Sequence, residues 1–117
     1  MQLDNLLTGA NYWFTIQSIK RKFRDVSQFE LTIISLIGSK ALKCSSIELL
    51  TGRSNLRAKL ERLSIHGRIN IIKHSNRAIW YRLSDKGRDI YLNIIEEHEN
   101  RMQAINEHSV DEVLKEL

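Results

Sequence analysis

The segment GRSNLRAKLERLSIHGRINII, residues 52–72, contains a helical pattern followed by a β-type pattern. Leu56, Leu60 and Leu63 stand at i, i+4 and i+7, the spacing at which residues share one face of an α-helix. Gly67 suits the left-handed position that often follows a helix, and the isoleucine-rich run after it favours a β-strand. The segment therefore predicts a short helix with a leucine face, followed directly by a strand.

Away from its leucine face this helix, predicted from Arg53 to about His66, is rich in cations. The major groove of B-DNA admits one α-helix, and residues early in that helix reach the base edges. The predicted DNA-binding residues of the helix are Arg53, Ser54, Asn55, Arg57, Ala58, Lys59 and Arg62. Arginine can pair with guanine and asparagine with adenine, so Arg53, Asn55 and Arg57 are expected to read bases. Lys59 and Arg62 are expected to contact phosphate, which positions a protein without reading sequence. The alternative is a solvated helix whose charges serve solubility.

Charge is distributed unevenly along the 117 residues. The net charge is +4, but residues 44–88 hold ten basic and three acidic side chains, whereas residues 89–117 hold two basic and eight acidic ones. A basic middle section favours a polyanion as its partner. Length and composition indicate one domain spanning residues 1–117. The single cysteine and the lack of a membrane-length apolar run or a leader pattern favour the cytoplasm.

Three further helices are predicted in the N-terminal half. A long amphipathic helix runs from about Leu3 to Arg24, and it is apolar on more than one side, as expected of a helix with two neighbours. Its main stripe is Tyr12, Ile16, Ile19 and Phe23. Ser27–Glu30 and Ser45–Glu48 each have the capping-box pattern that opens a helix. Gly38 is the predicted end of the helix that begins after Ser27.

From Arg68 onward apolar residues alternate, which predicts a β-hairpin with its tip at residues 74–76. The residues expected to face the core are Ile69, Ile71, Ile79, Tyr81 and Leu83. Trp80 should lie on the opposite face with Ile72. A long helix is predicted after Ser84, with a stripe of Ile90, Ile94, His98, Met102 and Ile105. Residues 109–112 predict a short terminal helix. This order of elements is typical of a winged helix-turn-helix.

With the hairpin in place, residues 75–87, SNRAIWYRLSDKG, resemble the wing and the next helix start of MarR-family regulators. In that family this region typically contains Asp-x-Arg, then a strand in which apolar residues alternate, then Leu-Thr/Ser-x-x-Gly. The Leu60-Glu-Arg-Leu63 segment, with Gly67 after it, resembles the family's exit from its recognition helix. Ser75 replaces the usual wing acid. The length is similar to that of SarA-type proteins, and the strand AIWYRL is also similar to that of PadR-like regulators.

The expected fold is therefore mainly α with a small β-hairpin wing. A winged helix-turn-helix core would span residues 27–84, between dimerisation helices in residues 1–26 and 85–117. The expected function is a homodimeric transcriptional repressor that binds double-stranded DNA, with the recognition helix in the major groove. Arg77 would enter the minor groove as part of the wing, and Lys73 and His74 would contact phosphates beside it.

Two other functions stay open at this point. One is a plasmid or viral winged-helix protein that binds a centromere or controls replication. The other is a winged helix that binds proteins through Trp80 and the first helix, with no nucleic acid involved.

Enzymatic activity and a cofactor are not indicated. The four histidines have no metal-ligand spacing with one another or with Cys44, and the five glycines are scattered rather than gathered in a phosphate-cradling loop. Cys44 lies beside Lys43 and a predicted helix start, where a lowered pKa would make it a redox switch. A buried, inert thiol is the alternative that we favour.

Overall fold

The computed structural model of the protein describes residues 3–73 and 78–107, with side chains from Gly9 onward except at positions 105 and 106. Within these residues the chain forms five helices and three short strands. In chain order they are α1 (Leu3–Lys22), α2 (Gln28–Ile37), β1 (Ala41–Lys43), α3 (Cys44–Thr51), α4 (Arg57–Ile65), β2 (Ile69–Lys73), β3 (Ile79–Leu83) and α5 (Asp85–Glu107). The prediction of a mainly helical α+β fold is confirmed.

The core is built around α2, which is buried on most of its sides. Its fully buried apolar side chains are Leu31, Ile33, Ile34 and Ile37. The predicted cap at Ser27 is confirmed, because its Oγ accepts a hydrogen bond from the backbone N of Glu30 at 3.1 Å. The helix ends at Gly38, whose φ of +54° is a value that side chains disfavour.

The long helices α1 and α5 lie against each other beside α2. The side chains that they bury are Ile16, Ile19, Ile90 and Ile94. Polar contacts also join the helices: Lys22 Nζ donates to Asn93 Oδ1 at 2.6 Å, and Asn11 Nδ2 lies 2.9 Å from Nδ1 of His98 and donates to its carbonyl oxygen at 3.3 Å. The predicted apolar stripe of α1 is thus confirmed at Ile16 and Ile19 in its C-terminal half, whereas Tyr12, at the middle of the helix, is exposed.

The sheet has three strands rather than the two that the sequence predicts. All neighbours are antiparallel and the order is β1-β3-β2, with Leu42 opposite Tyr81 and Ile71 opposite Tyr81 on its other side. The strand β1 was not predicted because three residues are too few to show an alternating pattern. Its existence depends on pairing with β3, about forty residues later in the chain.

The helix with the leucine face begins later than predicted, at Arg57 and not at Arg53. Gly52 ends α3 in the left-handed conformation, with a φ of +67°. Asn55 also has a positive φ, +59°, which asparagine tolerates better than most residues. Two left-handed residues within four positions cannot continue a right-handed helix, so residues 53–56 form a turn between α3 and α4.

The predicted capping box at Ser45–Glu48 is wrong. The helix α3 begins at Cys44, and its N-cap residue, Lys43, provides no side-chain hydrogen bond to the first turn. Glu48 bonds elsewhere: its Oε2 accepts a hydrogen bond from the backbone N of Leu56 at 3.0 Å. The carboxylate therefore caps α4 instead of the helix that carries it.

Two predicted features fall outside the described residues, namely the hairpin tip at residues 74–76 and the short helix at residues 109–112. Among the described helices, none combines the length and apolar character needed to cross a membrane.

Candidate nucleic-acid interface

The α3–turn–α4 unit is held to the core by the leucine face that the sequence predicted. Leu56, Leu60 and Leu63 are all buried, together with Ile47 of α3. Each buried leucine contributes roughly 1.5–3 kcal/mol relative to an exposed one. The unit is therefore anchored on one side, and its other sides face solvent.

The face of α4 opposite the leucines is exposed over its whole length. At 100° per residue, the positions that point most directly away from the core are Ala58, Glu61, Arg62 and Ile65. Ile65 is 80% exposed, although it is a large aliphatic residue. Arg57 and Lys59 lie on the two flanks of the helix, between this outer face and the core. Glu61 and Ile65 were not predicted as part of this surface. The sequence did contain a signal for them, because they stand four and eight positions after Arg57, a spacing that places residues on the same side of a helix.

Two cations converge on the ring of Phe29, at the flank of α4 that faces α2. Arg53 Cζ lies 5.5 Å and Lys59 Nζ 5.6 Å from its centroid. Cations at this distance are attracted to the ring face. Arg53 therefore lies beside Lys59 although it belongs to the turn and not to the helix. Both side chains are exposed, and they form a cationic edge on this side of α4.

Arg57 lies on the opposite flank, where its Nε contacts Oε1 of Glu61 at 3.3 Å. Both side chains are more than half exposed, so this pair contributes little to stability. Arg57 also lines a cavity of about 200 Å³, together with Lys43, Cys44, Ser45, Ile79 and Tyr81. The cavity connects the starts of α3, α4 and β3.

The remaining predicted site residues are distributed as follows. Ser54 and Asn55 are exposed in the turn just before α4. Lys73 is exposed at the end of β2, where the hairpin begins. His74 and Arg77 lie outside the described residues. The predicted site residues between positions 53 and 62 thus all lie on the turn before α4 or on α4 itself. Lys73 lies on the strand β2.

Trp80 and Ile72 are directly opposite each other across β3 and β2, so the predicted pairing on the outer face of the sheet is confirmed. Lys43 is opposite Trp80 on the other side, and its Nζ lies 4.9 Å from the ring centroid. The indole is half-buried in this row. It lies on the face of the sheet opposite Tyr81.

The surroundings of Cys44 raise the pKa of its thiol, whereas the redox-switch interpretation requires a lowered pKa. Burial raises the pKa of its thiol above the ordinary 9.0, Glu48 raises the pKa further, and Arg57 lowers it. Burial likewise raises the pKa of Tyr81 above 10.0, with further increases from Cys44 and Glu61. The thiol is therefore protonated and weakly nucleophilic at neutral pH.

The C-terminal end of α4 is attached to α2 by a buried ion pair. Glu30, 1% exposed, accepts a hydrogen bond from Nη1 of Arg68 at 3.0 Å, and His66 Nδ1 lies 3.4 Å from the same oxygen. Arg68 Nη2 also contacts Asp25. This network orients the exit from α4 into β2. The sequence pattern placed Glu30 in a capping box and did not pair it with Arg68.

A groove of about 560 Å³ lies between α1, α2 and the turn before α4. Its lining includes Tyr12, Phe29, Leu36, Leu50 and Arg53. The groove is mostly apolar, and Arg53 is the cationic residue among those that line it. Among residues 3–73 and 78–107, no group of three or more His, Cys, Asp or Glu side chains is arranged to hold a metal ion.

Comparison with protein-family models gives no match, and comparison with curated proteins gives none either. Among solved structures, the crystal structure of RV1404 from Mycobacterium tuberculosis is similar, with a TM-score of 0.62 and 23% sequence identity. The similarity covers 96% of this chain and 86% of that one. At this level of identity it concerns the fold alone.

Proposed function

We propose that this protein is a winged helix-turn-helix regulator, similar to the MarR family, that binds double-stranded DNA as a homodimer. The observation that carries the proposal is α4 itself. Its leucines are buried, while Arg53, Arg57, Lys59 and Arg62 are all exposed around the same short helix. A single anchored helix with this charge is what the major groove accepts.

The order of elements supports the same proposal. A helix, a short strand, two helices joined by a turn and an antiparallel hairpin make up the winged helix-turn-helix arrangement. In that arrangement α4 is the recognition helix and β2–β3 is the wing. Lys73, exposed where the wing leaves the sheet, is suited to contact a backbone phosphate.

The geometry of α4 suggests a different division of roles from the one that the sequence suggested. Ala58 and Arg62 point away from the core, and Asn55 lies two positions before the first residue of the helix, so we assign base contacts to these three. Alanine can contact a thymine methyl, and arginine can pair with guanine. Arg57 and the Arg53–Lys59 edge are on the flanks, where the two phosphate backbones of the groove would lie. We assign phosphate contacts to these.

Dimerisation is supported by the exposed aromatic residues of α1. Trp13 is 54% and Phe14 53% exposed, and their rings contact each other edge to face at 5.1 Å. Leu92 of α5 is more than half exposed as well. Apolar surface of this kind on long helices is suited to a two-fold interface. Two recognition helices related by that axis would reach half-sites one turn of DNA apart, roughly 34–36 Å.

Repression by occlusion of the promoter is the simplest regulatory outcome of such binding. The experiment that tests the proposal combines light scattering with selection of bound sequences from random duplexes. We expect a dimer, an imperfect palindrome as the site, and an affinity that falls steeply with salt. A monomeric protein that ignores duplex DNA at low salt would contradict both parts of the proposal.

Variants of α4 sharpen this experiment. Arg62→Ala should relax preference at one position of each half-site, at a cost of about 1–3 kcal/mol. Lys59→Ala should keep the preference and reduce the slope of log affinity against log salt by about one. Arg101→Ala is the control, because that arginine is on α5 and paired with Glu97 at 3.2 Å. Unchanged sequence preference in Arg62→Ala would remove Arg62 from the base-reading residues.

A further inference from the structure

The start of α3 has backbone donors without a cap. The first amides of any helix have no partner within it, and here the N-cap side chain of Lys43 does not bond to the first turn. Among the described residues, no side chain accepts a hydrogen bond from the amides of Ser45 and Ser46. Of these two residues, Ser45 lines the cavity of about 200 Å³ between α3, α4 and β3.

One cation reaches the same cavity, since Arg57 lines it from the first turn of α4. Lys43 lines the cavity too, but its Nζ lies over the ring of Trp80 on the other face of the sheet. Only one nitrogen of the Arg57 guanidinium is hydrogen-bonded to Glu61, so its remaining N–H groups are available on that side. The helix N-terminus adds its own positive potential.

The hydroxyl of Tyr81 is the second, independent observation. Tyr81 is 0% exposed and lines this cavity, and its hydroxyl has no hydrogen-bond partner among the described residues. Leaving a buried hydroxyl unpaired is unfavourable, and phenylalanine would fill the same space without that cost. A tyrosine at this position therefore indicates a ligand atom that accepts its hydrogen bond.

We propose that this cavity binds a phosphate group, held by the Ser45 amide, the Arg57 guanidinium and the Tyr81 hydroxyl. Every group in this set is a donor or a cation, which is the composition that a tetrahedral oxyanion requires. The inference rests on the proposed function in one respect: in the DNA complex the phosphate is one of the backbone phosphates flanking α4. A free phosphate ion has the same chemistry and is the other source.

Cys44 makes the site measurable without a DNA-binding assay. It is the single cysteine of the chain and lines the cavity, so the rate at which a maleimide alkylates it reports whether the cavity is occupied. The rate is measured at mildly alkaline pH on the full chain, with inorganic phosphate or a duplex, and with chloride at matched ionic strength as the control. We expect saturable slowing with phosphate or duplex and none with chloride.

Tyr81→Phe is the decisive variant because it changes one hydroxyl and leaves the packing intact. Tyr91→Phe is its matched control, since Tyr91 is half-buried against Gly38 and is not part of the cavity lining. We expect Tyr81→Phe to unfold at an equal or higher temperature than the parent protein. It should lose the protection of Cys44 and bind duplex DNA about tenfold more weakly, as expected for a lost hydrogen bond to a charged group. Tyr91→Phe should keep the protection and the affinity.

The outcomes separate this inference from the proposed function. Protection by a duplex that Tyr81→Phe abolishes supports both. Protection by free phosphate, lost in Tyr81→Phe, in a protein that ignores DNA supports the phosphate site and overturns the proposed function. A protein that binds DNA, but whose Cys44 is alkylated at the same rate with phosphate, duplex or chloride, overturns the site and leaves the function standing. Equal protection in the parent protein and Tyr81→Phe also overturns it.

Discussion

Glu48 of α3 accepts a hydrogen bond from the backbone N of Leu56 at 3.0 Å, so one helix of the α3–α4 pair caps the other. Leu56 cannot cap through its own side chain, and a carboxylate at a helix N-terminus is favourable both as an acceptor and as a charge. The turn of residues 53–56 is thereby closed at both ends: by Gly52 where α3 ends and by Glu48 where α4 begins. This contact determines where α4 starts.

Replacing Glu48 by alanine should therefore loosen the start of α4. The expected loss is about 0.5–2 kcal/mol in the free energy of unfolding, the range for lost N-caps. Glu48→Gln, which keeps an acceptor oxygen, should lose less. Urea unfolding gives the stabilities, and hydrogen exchange at the amides of residues 56–59 locates the change. Glu99→Ala, an exposed position on α5, is the control; an equal loss in that variant would show that the cap contributes nothing specific.

Arg68 should be far more sensitive than its exposed partner Asp25. Arg68→Ala leaves Glu30 buried without a cation, and removing one member of a buried pair costs about 3–5 kcal/mol. Asp25→Asn removes only an exposed carboxylate and should cost less than about 1 kcal/mol. Chemical denaturation of both variants measures the difference. The double variant Glu30→Met/Arg68→Met should recover much of the loss, because no charge is then left buried.

Similar losses in Arg68→Ala and Asp25→Asn would contradict this account of the network. That result would mean that Glu30 is satisfied by its other neighbours, of which His66 is the nearest described one.

Gly87 should tolerate no side chain, whereas Gly9 should benefit from one. A Cβ at Gly87 would lie 2.1 Å from the carbonyl oxygen of Arg68, the same oxygen that accepts a hydrogen bond from the backbone N of Ser84 at 2.9 Å. Gly87→Ala must therefore separate α5 from β2 and should severely destabilise the protein. Gly9 lies within α1 with nothing within 4 Å of its Cβ position, so Gly9→Ala should stabilise the helix by about 0.5–1 kcal/mol.

Thermal unfolding of the two glycine variants is a matched comparison, since each adds one methyl group inside a helix. A Gly87→Ala protein that unfolds at the parental temperature would show that α5 can move away from Arg68 without cost.

Cys44 should be alkylated slowly at neutral pH, and more slowly in the folded chain than in the same chain unfolded in urea. The reason is that burial raises the pKa of the folded thiol above its ordinary 9.0, while the thiolate is the reactive form. Iodoacetamide kinetics against pH measure this directly. A folded thiol that reacts faster than the unfolded one at neutral pH would restore the redox-switch interpretation.

The same pKa shifts predict the sign of the change in stability at high pH. Cys44 and Tyr81 hold their protons to higher pH in the native state than in the unfolded state. Their contribution to stability is complete below pH 9.0 and falls as the pH rises through the folded values. The ordinary pKa of Tyr81 is higher, at 10.0, so the loss of stability that is due to Cys44 begins at a lower pH than the loss due to Tyr81. Cys44→Ser should reduce that earlier part of the loss.

Several elements were predictable because their causes are local in the chain. The leucine face of α4 follows from i, i+4 spacing, and the strands β2 and β3 follow from alternation. The cap at Ser27 and the end at Gly38 depend on residues within one helical turn. The basic character of residues 53–62 is equally local, because it depends only on which side chains follow one another.

Other features depend on residues far apart in sequence, and no local pattern contains them. The start of α4 is set by Glu48, eight positions away, and by a left-handed Asn55. Glu30 is bound by Arg68, thirty-eight positions later. The local capping-box pattern had instead assigned Glu30 to the start of its own helix. The strand β1 is too short to be recognised until β3 lies beside it.

The order of amino acids was therefore sufficient to specify the helical and β-type segments, the buried leucine face and the cationic character of the residues around it, because each depends on spacing or charge along the chain. Three features came from the packed fold instead: where α4 begins, which cations lie on its flanks, and the burial of Tyr81 beside the start of α3. The physical reason is that capping, ion pairing and cavity formation require groups from separate elements, and packing alone brings those groups together.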